Sequence, residues 1–253
     1  MALGISDDQG LGELSSVGQG EQGVVEEETP RHPDTDLRIV LVAGMHRSGT
    51  SWLARTLNLC GADIGSRAGW GEPDNPHGFW EDRYVLALNE QILESYDSSW
   101  DHPPSSVNIT LELTPAVKRE ILKGFTEDLI LFKDPRISFT WPIFKNSFPS
   151  AELVAPIRHP MAVVRSLEKR NGFEPTYTLK LWERYNRCLV SFGAEFVEFP
   201  TGFGLDALVE DLGLEVTTEA NMNFDEDAVH HEKENAPDHY QELYNHIIDG
   251  IRE

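Results

Sequence analysis

The chain has 253 residues, of which 40% are hydrophobic and 25% charged, and its formal net charge is −22. This length and balance predict a globular protein with about one α/β domain. No apolar run reaches the roughly 18–20 residues that a membrane helix needs, and so acidic a chain disfavours nucleic acid as a partner.

The negative charge is concentrated at the two ends. Residues 1–36 hold nine acidic side chains and one basic one, and residues 206–253 hold fourteen and two. The middle is nearly balanced, so an anionic small molecule can still bind in a central pocket. Residues 1–36 carry few large apolar side chains and show no periodicity, which predicts a disordered acidic leader. We expect residues 37–253 to form a single α/β domain with an acidic helical tail.

Targeting and redox signals are weak. The N-terminus lacks a basic segment followed by an apolar one, so we expect no signal peptide. Cys60 and Cys188 do not make a disulfide framework, and no CxxC pair is present. We therefore expect a reducing, cytoplasmic setting.

Strands and helices are predicted to alternate from residue 37 onward. Four short apolar runs predict buried strands: LRIVLVAG (37–44), DLILFK (128–133), ELVAPIR (152–158) and EFVEFP (195–200). Helices are expected after the first strand, over about 81–96, from Thr114-Pro115 to near Gly124, from Pro160, over about 176–193, and near 206–213 and 237–251. The stretch 138–148 looks helical but is expected to break at Pro142. This alternation predicts an α/β fold with a P-loop-like parallel sheet flanked by helices.

The segment GMHRSGTSW, residues 44–52, joins the first predicted strand to a helix. Gly44 and Gly49 have the glycine spacing of a P-loop, but Thr50 stands where a triphosphate loop needs lysine. Backbone N–H groups at a helix N-terminus form an anion site. Hydroxyl donors come from Ser48, Thr50 and Ser51, and Arg47 adds a forked cation suited to phosphate or sulfate oxygens.

A magnesium-dependent kinase or NTPase is disfavoured by the same segment. Besides the missing lysine, Asp134 is the nearest match to the acidic residue that would hold magnesium. The loop therefore indicates an anionic ligand other than a nucleoside triphosphate.

A second anion site is predicted at the end of the third strand. Arg158 closes that strand, and Ser166 lies eight residues later, about one and a half turns into the next helix. Both can meet one phosphate at the carboxyl edge of the sheet. Taken alone, the pair fits an ordinary structural arrangement equally well.

Together these elements resemble the PAPS-dependent sulfotransferase family. The match lies in RSGTSW (47–52) and in the spacing of Arg158 and Ser166, and the series GMHRSGTS, NPHGFWE, KDPR and RHP resembles the bacterial branch. KDPR is also similar to carbohydrate sulfotransferases. The resemblance covers roughly residues 38–192.

The resemblance implies a donor, 3′-phosphoadenosine-5′-phosphosulfate (PAPS), and a nucleotide product, adenosine 3′,5′-bisphosphate (PAP). It implies that the first loop binds the 5′-phosphosulfate, with Arg47 where the family usually carries lysine. Arg158 and Ser166 then bind the 3′-phosphate, and Trp52 lies beside the adenine. The implied binding set is His46, Arg47, Ser48, Gly49, Thr50, Ser51, Trp52, Arg158 and Ser166. In it, His46 shapes the loop or contacts an oxygen of the phosphosulfate.

Two departures from the family leave the general base open. Lys133 matches the lysine that ends a central strand in cytosolic aryl and steroid sulfotransferases, but Pro135 stands where they carry the catalytic histidine. The C-terminal Arg-Lys-Gly segment of those enzymes is also absent, and the tail is acidic instead.

The base is expected opposite the first loop. Glu81 is the first choice, His77 the second and Asp134 the third. Glu81 can instead stabilise the dipole of the helix that it begins. Arg47 is expected to stabilise charge on the leaving phosphate. The tail histidines are not expected to bind a metal, and the loop carrying Trp70, Phe79 and Trp80 is a possible acceptor lid.

The predicted function is metal-independent transfer of a sulfuryl group from PAPS to a hydroxyl, less often an amine, of a small molecule or glycan. The alternatives are a P-loop kinase or NTPase and a PAP-binding homologue without activity. The sequence predicts neither the acceptor nor the oligomeric state.

Overall fold

The computed structural model describes residues 2–3, 37–68, 78, 80–105, 111–221 and 235–252. The candidate base His77 and two aromatic residues of the predicted lid, Trp70 and Phe79, lie outside these ranges. Across the described ranges, no helix combines the length and the apolar character needed to cross a membrane.

A four-stranded parallel sheet forms the centre of the fold. Its strands are β2 (Arg38–Val42), β4 (Leu129–Lys133), β5 (Glu152–Ile157) and β6 (Glu195–Glu198), in the spatial order β4-β2-β5-β6. Ile39 pairs with Ile130 on one side of β2, and Val40 pairs with Glu152 on the other. All four predicted strands are confirmed, as is the parallel α/β sheet.

A separate two-residue strand pair includes the start of the chain. Strand β1 (Ala2–Leu3) pairs in parallel with β3 (Glu112–Leu113). These two residues of the predicted leader are therefore hydrogen-bonded to the domain. The structure describes no residue from 4 to 36.

Helices flank the sheet. Within the described residues they are α1 (Thr50–Leu59), α2 (Arg83–Glu94), α3 (Pro115–Ile121), α4 (Ile137–Ser147), α5 (Pro160–Asn171), α6 (Pro175–Ser191), α7 (Leu205–Asp211), α8 (Thr218–Asn221) and α9 (Asp238–Arg252). Several begin at signals visible in the sequence. Thr114 caps α3 by accepting from the Val117 N–H, and prolines occupy the first turns of α3 and α5.

The expected break at Pro142 is wrong. Helix α4 runs from Ile137 to Ser147 with the proline inside it. An internal proline costs about 3 kcal/mol. The helix is buried on almost every side, including Phe139, Trp141 and Phe144. Burying each such side chain stabilises the fold by about 1.5–3 kcal/mol, so tertiary packing outweighs the proline.

Apolar side chains cover both faces of the sheet. In β2, Ile39 and Leu41 pack on one face with residues of α2, α3 and α4, whereas Val40 and Val42 pack on the other with residues of α1 and α7. The strands can therefore be apolar throughout, as the sequence indicates. The carboxyl ends of all four strands remain at one edge of the sheet, where polar side chains collect.

Candidate anion-binding site

The turn after β2, residues 43–49, is fixed to the strands and helix beneath it. The Ala43 N–H donates to the Val154 carbonyl at 3.0 Å, and the Gly44 N–H donates to Ser138 Oγ at 3.1 Å. Arg47 has a φ of 69°, which is uncommon for a residue with a side chain. Such conformations persist where surrounding contacts determine them, and they are concentrated at functional sites.

Gly49 is required by its neighbour Phe199. Gly49 has a φ of 99°, and a Cβ added to it would lie 2.5 Å from the Phe199 ring. Any side chain here would push the ring away from the turn. The spacing read as a phosphate loop thus also serves the packing of an aromatic residue that follows β6.

The two anion sites predicted from the sequence lie together. Arg47 Nε donates to Ser166 Oγ at 2.8 Å, and Arg158 Nη1 donates to the Arg47 carbonyl at 3.0 Å. Arg47 is exposed, while Arg158 and Ser166 are half-buried. Two guanidinium groups and a hydroxyl therefore meet between the carboxyl ends of β2 and β5.

The hydroxyls of the turn differ in their surroundings. Ser48 is 1% exposed, and in the described part of the structure its Oγ has no hydrogen-bond partner. Leaving a buried polar group unpaired costs about 1–3 kcal/mol. Thr50 is also buried, and Ser51 is half-buried. Because Ser48 precedes the N-terminus of α1, an anionic oxygen bound there would satisfy its hydroxyl.

Trp52 and Phe199 form an aromatic pair beside the turn. Their ring centroids are 5.3 Å apart, and the Arg158 guanidinium carbon lies 5.3 Å from the Phe199 centroid. The sequence did not single out Phe199. Its signal was its position at the end of the fourth predicted strand, at the same sheet edge as Arg158.

Helix α6 also positions Arg158. Trp182 Nε1 donates to the Arg158 carbonyl at 3.0 Å. Trp182 and Tyr185 are fully buried, so this part of α6 belongs to the core.

A buried ion pair lies on the other side of the turn. Lys133 Nζ, at the end of β4, is 2.7 Å from Glu81 Oε1, and the two side chains are 3% and 9% exposed. Glu81 precedes Asp82, which caps α2 by accepting from the Tyr84 and Val85 N–H groups. Glu81, the first choice for the general base, is therefore in an ion pair with Lys133, the residue that the sequence matched to the strand-ending lysine of sulfotransferases.

Asp134 is fully buried in a polar network. Its carboxylate accepts from Asn89 Nδ2 at 2.9 Å, from the Arg136 N–H at 2.9 Å and from Arg136 Nη1 at 3.1 Å. Burial raises the pKa of Asp134 to about 6; Arg136 opposes the shift and Glu81 adds to it. The sequence did not predict that Asn89 and Arg136 would contact Asp134. The only signal for Arg136 was its place in the KDPR segment.

His46 belongs to the turn, and its ring packs beside Tyr185 of α6. Its ring centroid is 4.4 Å from that of Trp100 and 6.2 Å from that of Tyr185. Among the described residues, none is a hydrogen-bond partner of His46 Nε2, which is shielded from solvent. Burial, followed by the charges of Arg136, Lys133, Arg170 and Arg47, holds the pKa of His46 well below its usual range.

The C-terminal helix α9 packs beside the Arg158 end of the site. Gln241 Oε1 is 3.1 Å from His159 Nε2, and Tyr244 donates to Glu198 Oε1 at 2.7 Å. His159 adjoins Arg158, and Glu198 adjoins Phe199. Helix α9 of the acidic tail therefore contacts the residues next to Arg158 and Phe199.

The tail histidines do not cluster in the part that is described. His239 is 3.1 Å from Glu183, and His230 and His231 lie outside the described ranges. In those ranges, no three side chains of His, Cys, Asp or Glu are grouped to hold a metal ion.

No protein-family profile matches this chain, and no curated protein matches its sequence. Among solved structures, the chain is similar to the "Sulfotransferase Domain from the Synechococcus PCC 7002 Olefin Synthase". The two are 16% identical, the match covers 89% of this chain and 99% of the other, and the TM-score is 0.46. A likeness of this size assigns no role to any residue of this chain.

Proposed function

We propose that this protein is a sulfotransferase that uses PAPS as donor and a hydroxyl of a small molecule or glycan as acceptor. The observation that carries the proposal is the contact of Arg47 with Ser166 at 2.8 Å, together with that of Arg158 with the Arg47 carbonyl at 3.0 Å. One ligand with phosphate groups at two positions would engage both elements.

The chemistry of the turn fits such an anion. The buried hydroxyl of Ser48, which has no hydrogen-bond partner among the described residues, lies at the N-terminus of α1, where backbone N–H groups and the helix dipole favour negative charge. The forked guanidinium of Arg47 matches the oxygens of a phosphate or sulfate group. The Thr50 side chain carries no charge for a third phosphate, which favours a phosphosulfate over a nucleoside triphosphate.

The aromatic pair fits a purine at the other end. Trp52 and Phe199 offer ring faces beside Arg158, and aromatic stacking on a base is worth about 1–3 kcal/mol. Arg158 and Ser166 would then hold the 3′-phosphate, and residues 46–51 the 5′ end.

Bound PAPS supplies the sulfuryl group and a phosphate leaving group. In transfer, Arg47 and the N-terminus of α1 stabilise the charge that develops on that phosphate, and one correctly placed donor is worth on the order of 3–4 kcal/mol. Lys133 can stabilise charge from the end of β4, where Glu81 holds its ammonium group. Asp134 instead fixes α2 to α4 through Asn89, because its carboxylate already accepts three hydrogen bonds.

A transfer assay tests the proposal. The purified chain is incubated with ³⁵S-labelled PAPS and three probe acceptors, namely 4-nitrophenol, methyl glucoside and 1-butanol, with EDTA present. We expect PAP to be released together with a sulfated product. A protein that releases phosphate from Mg-ATP and nothing from PAPS would be a kinase or NTPase. One that binds PAP but transfers nothing would be a binding homologue.

A further inference from the structure

We infer that His46, in the phosphate-binding turn, accepts the proton of the acceptor hydroxyl. This inference rests on the proposed function and names a group for which the sequence favoured Glu81. Its basis is the place of His46 in the turn, the lack of a hydrogen-bond partner for its Nε2 within the described residues, and the contacts that occupy the competing carboxylates.

His46 is placed next to the groups that would hold the transferred group. It precedes Arg47 in the chain, and the next hydroxyl, Ser48, is also without a partner among the described residues. The ring is fixed by Trp100 at 4.4 Å and by the edge of Tyr185 at 6.2 Å. Two buried polar atoms of one turn, His46 Nε2 and Ser48 Oγ, thus have no hydrogen-bond partner in the part of the chain that the structure describes, and a bound ligand would supply one.

The rival carboxylates of the described site are engaged. Glu81 forms a buried ion pair with Lys133 at 2.7 Å, so taking a proton would leave the lysine charge uncompensated. Asp134 is 0% exposed and accepts from Asn89 and Arg136. Both are better suited to holding cations and helices than to receiving a substrate proton.

The charges around His46 keep it neutral until the donor binds. Lys133 and Arg136 act on it from the end of β4, Arg47 from the turn and Arg170 from α5, and burial adds to their effect on its pKa. Burial raises the pKa of Tyr185 on α6 well above its usual value, so this neighbour stays uncharged. A bound bisphosphate places negative charge among these cations, which must raise the pKa of His46 and its basicity.

The acceptor O–H bond breaks, and its proton moves to Nε2 of neutral His46. The acceptor oxygen forms a bond to sulfur as the bond between sulfur and the phosphate oxygen of PAPS breaks. The electron pair stays on PAP, and the imidazolium later releases its proton to solvent. Because Nε2 is shielded in the free protein, we expect the half-buried Trp100 ring to move when an acceptor binds.

The test compares His46→Gln with His239→Gln. Glutamine keeps hydrogen-bonding capacity but accepts no proton, so we expect His46→Gln to lower kcat about 10²–10⁴-fold and to change the affinity for PAP about threefold or less. His239 is exposed and pairs with Glu183 away from the turn, so its substitution leaves both quantities unchanged. A nuclear magnetic resonance titration gives a readout without turnover. In it, the His46 imidazole titrates below pH 6.5 in the free protein and at higher pH with PAP bound.

Three results overturn the inference. In the first, the wild type transfers sulfate to a probe acceptor and His46→Gln does so equally fast, which leaves the proposed function intact. In the second, the imidazole titration does not move when PAP is bound. In the third, the wild type transfers nothing from PAPS, which removes the proposed function as well.

Discussion

Arg47 Nε donates a hydrogen bond to Ser166 Oγ over 2.8 Å, although 119 positions separate the two residues in the chain. This bond joins the turn after β2 to helix α5, and Arg158 completes the junction by donating to the Arg47 carbonyl. The turn after β2, the end of β5 and helix α5 are therefore directly hydrogen-bonded to one another. The strained φ of Arg47 is explained by this double attachment.

Two substitutions of Arg47 distinguish the effect of its positive charge from the effect of its hydrogen bond to Ser166. Arg47→Lys keeps the positive charge but loses the Nε donor to Ser166, so we expect it to retain only part of the transfer rate. Arg47→Ala loses both, and kcat/KM should fall on the order of 10²–10³-fold. Arg187→Ala, which removes an exposed arginine of α6 paired with Glu183, is the control. An Arg47→Ala protein that works within twofold of the wild type would exclude Arg47 from the reaction.

Substitutions in the buried pair of Lys133 and Glu81 can show whether Lys133 acts in the reaction or only stabilises the fold. Lys133→Met leaves the buried charge of Glu81 uncompensated and should lower the free energy of unfolding by about 3–5 kcal/mol. Adding Glu81→Leu removes this uncompensated charge, and most of the lost free energy of unfolding should be recovered. Transfer activity should stay low in both proteins if Lys133 stabilises charge in the reaction.

Urea unfolding and the PAPS transfer assay together check this prediction. Arg187→Met breaks an exposed pair with Glu183 and should cost less than about 1 kcal/mol. Recovery of activity along with stability in the double variant would show that the lysine acts only in the fold.

The strands could be predicted from the sequence because they depend on local patterns. Apolar runs bounded by glycine or charge define β2, β4, β5 and β6. Because parallel strands share a carboxyl edge, Arg47 and Arg158 could be expected at the same edge of the sheet, but their contact depends on β2 and β5 being neighbours.

Long-range packing explains what could not be predicted. Pro142 is carried inside α4 because the helix is buried on nearly every side, and no local signal shows that. Phe199 reaches the site through its fit against Gly49. The partners of Glu81 and Asp134 come from other elements, so sequence reasoning could nominate these carboxylates but not show that Lys133 and Arg136 bind them.

Asp134 should make stability fall as pH rises through the weakly acidic range. Burial raises its pKa from 3.8 to about 6 in the folded state, so between these values the folded protein binds more protons than the unfolded chain. By linkage, this group costs on the order of 2–3 kcal/mol near pH 7, and the cost disappears as the pH falls towards 4.

Asp134→Asn removes that titration. We expect the stability of the wild type relative to Asp134→Asn to increase as the pH is lowered from 7 to 4.5, measured by urea unfolding at each pH. Asp249→Asn, in an exposed pair with Arg252, serves as the control and should show little such change. A difference that stays constant with pH would mean that Asp134 does not titrate in this range.

We expect changes in helix α9 to alter the affinity for the nucleotide more than the transfer of the sulfuryl group to the acceptor. Tyr244→Phe removes the hydrogen bond to Glu198 but keeps the ring against His159 at 5.2 Å. Because Glu198 precedes Phe199, we expect a weaker hold on PAP, with Kd raised about 3–10-fold for a lost bond of about 1 kcal/mol. The rate at saturating PAPS should change little.

The matched control is Tyr240→Phe, one turn earlier on the same helix, where the ring lies 4.1 Å from His239. Calorimetry with PAP checks both variants. Equal affinities in Tyr244→Phe and Tyr240→Phe would show that α9 stabilises the fold without positioning the site.

The proposed division of the site rests on a 3′-phosphate held by Arg158 and Ser166 and a 5′ group held by residues 46–51. The measurement that tests it most directly is calorimetry of the wild-type protein with PAP and with adenosine 5′-monophosphate, which lacks only the 3′-phosphate. We expect PAP to bind at least about tenfold more tightly, since hydrogen bonds to a charged group are worth about 1.5–3 kcal/mol, and Ser166→Ala to reduce that difference. Equal affinity for the two nucleotides, or no binding of PAP at millimolar concentration, would contradict the proposed function.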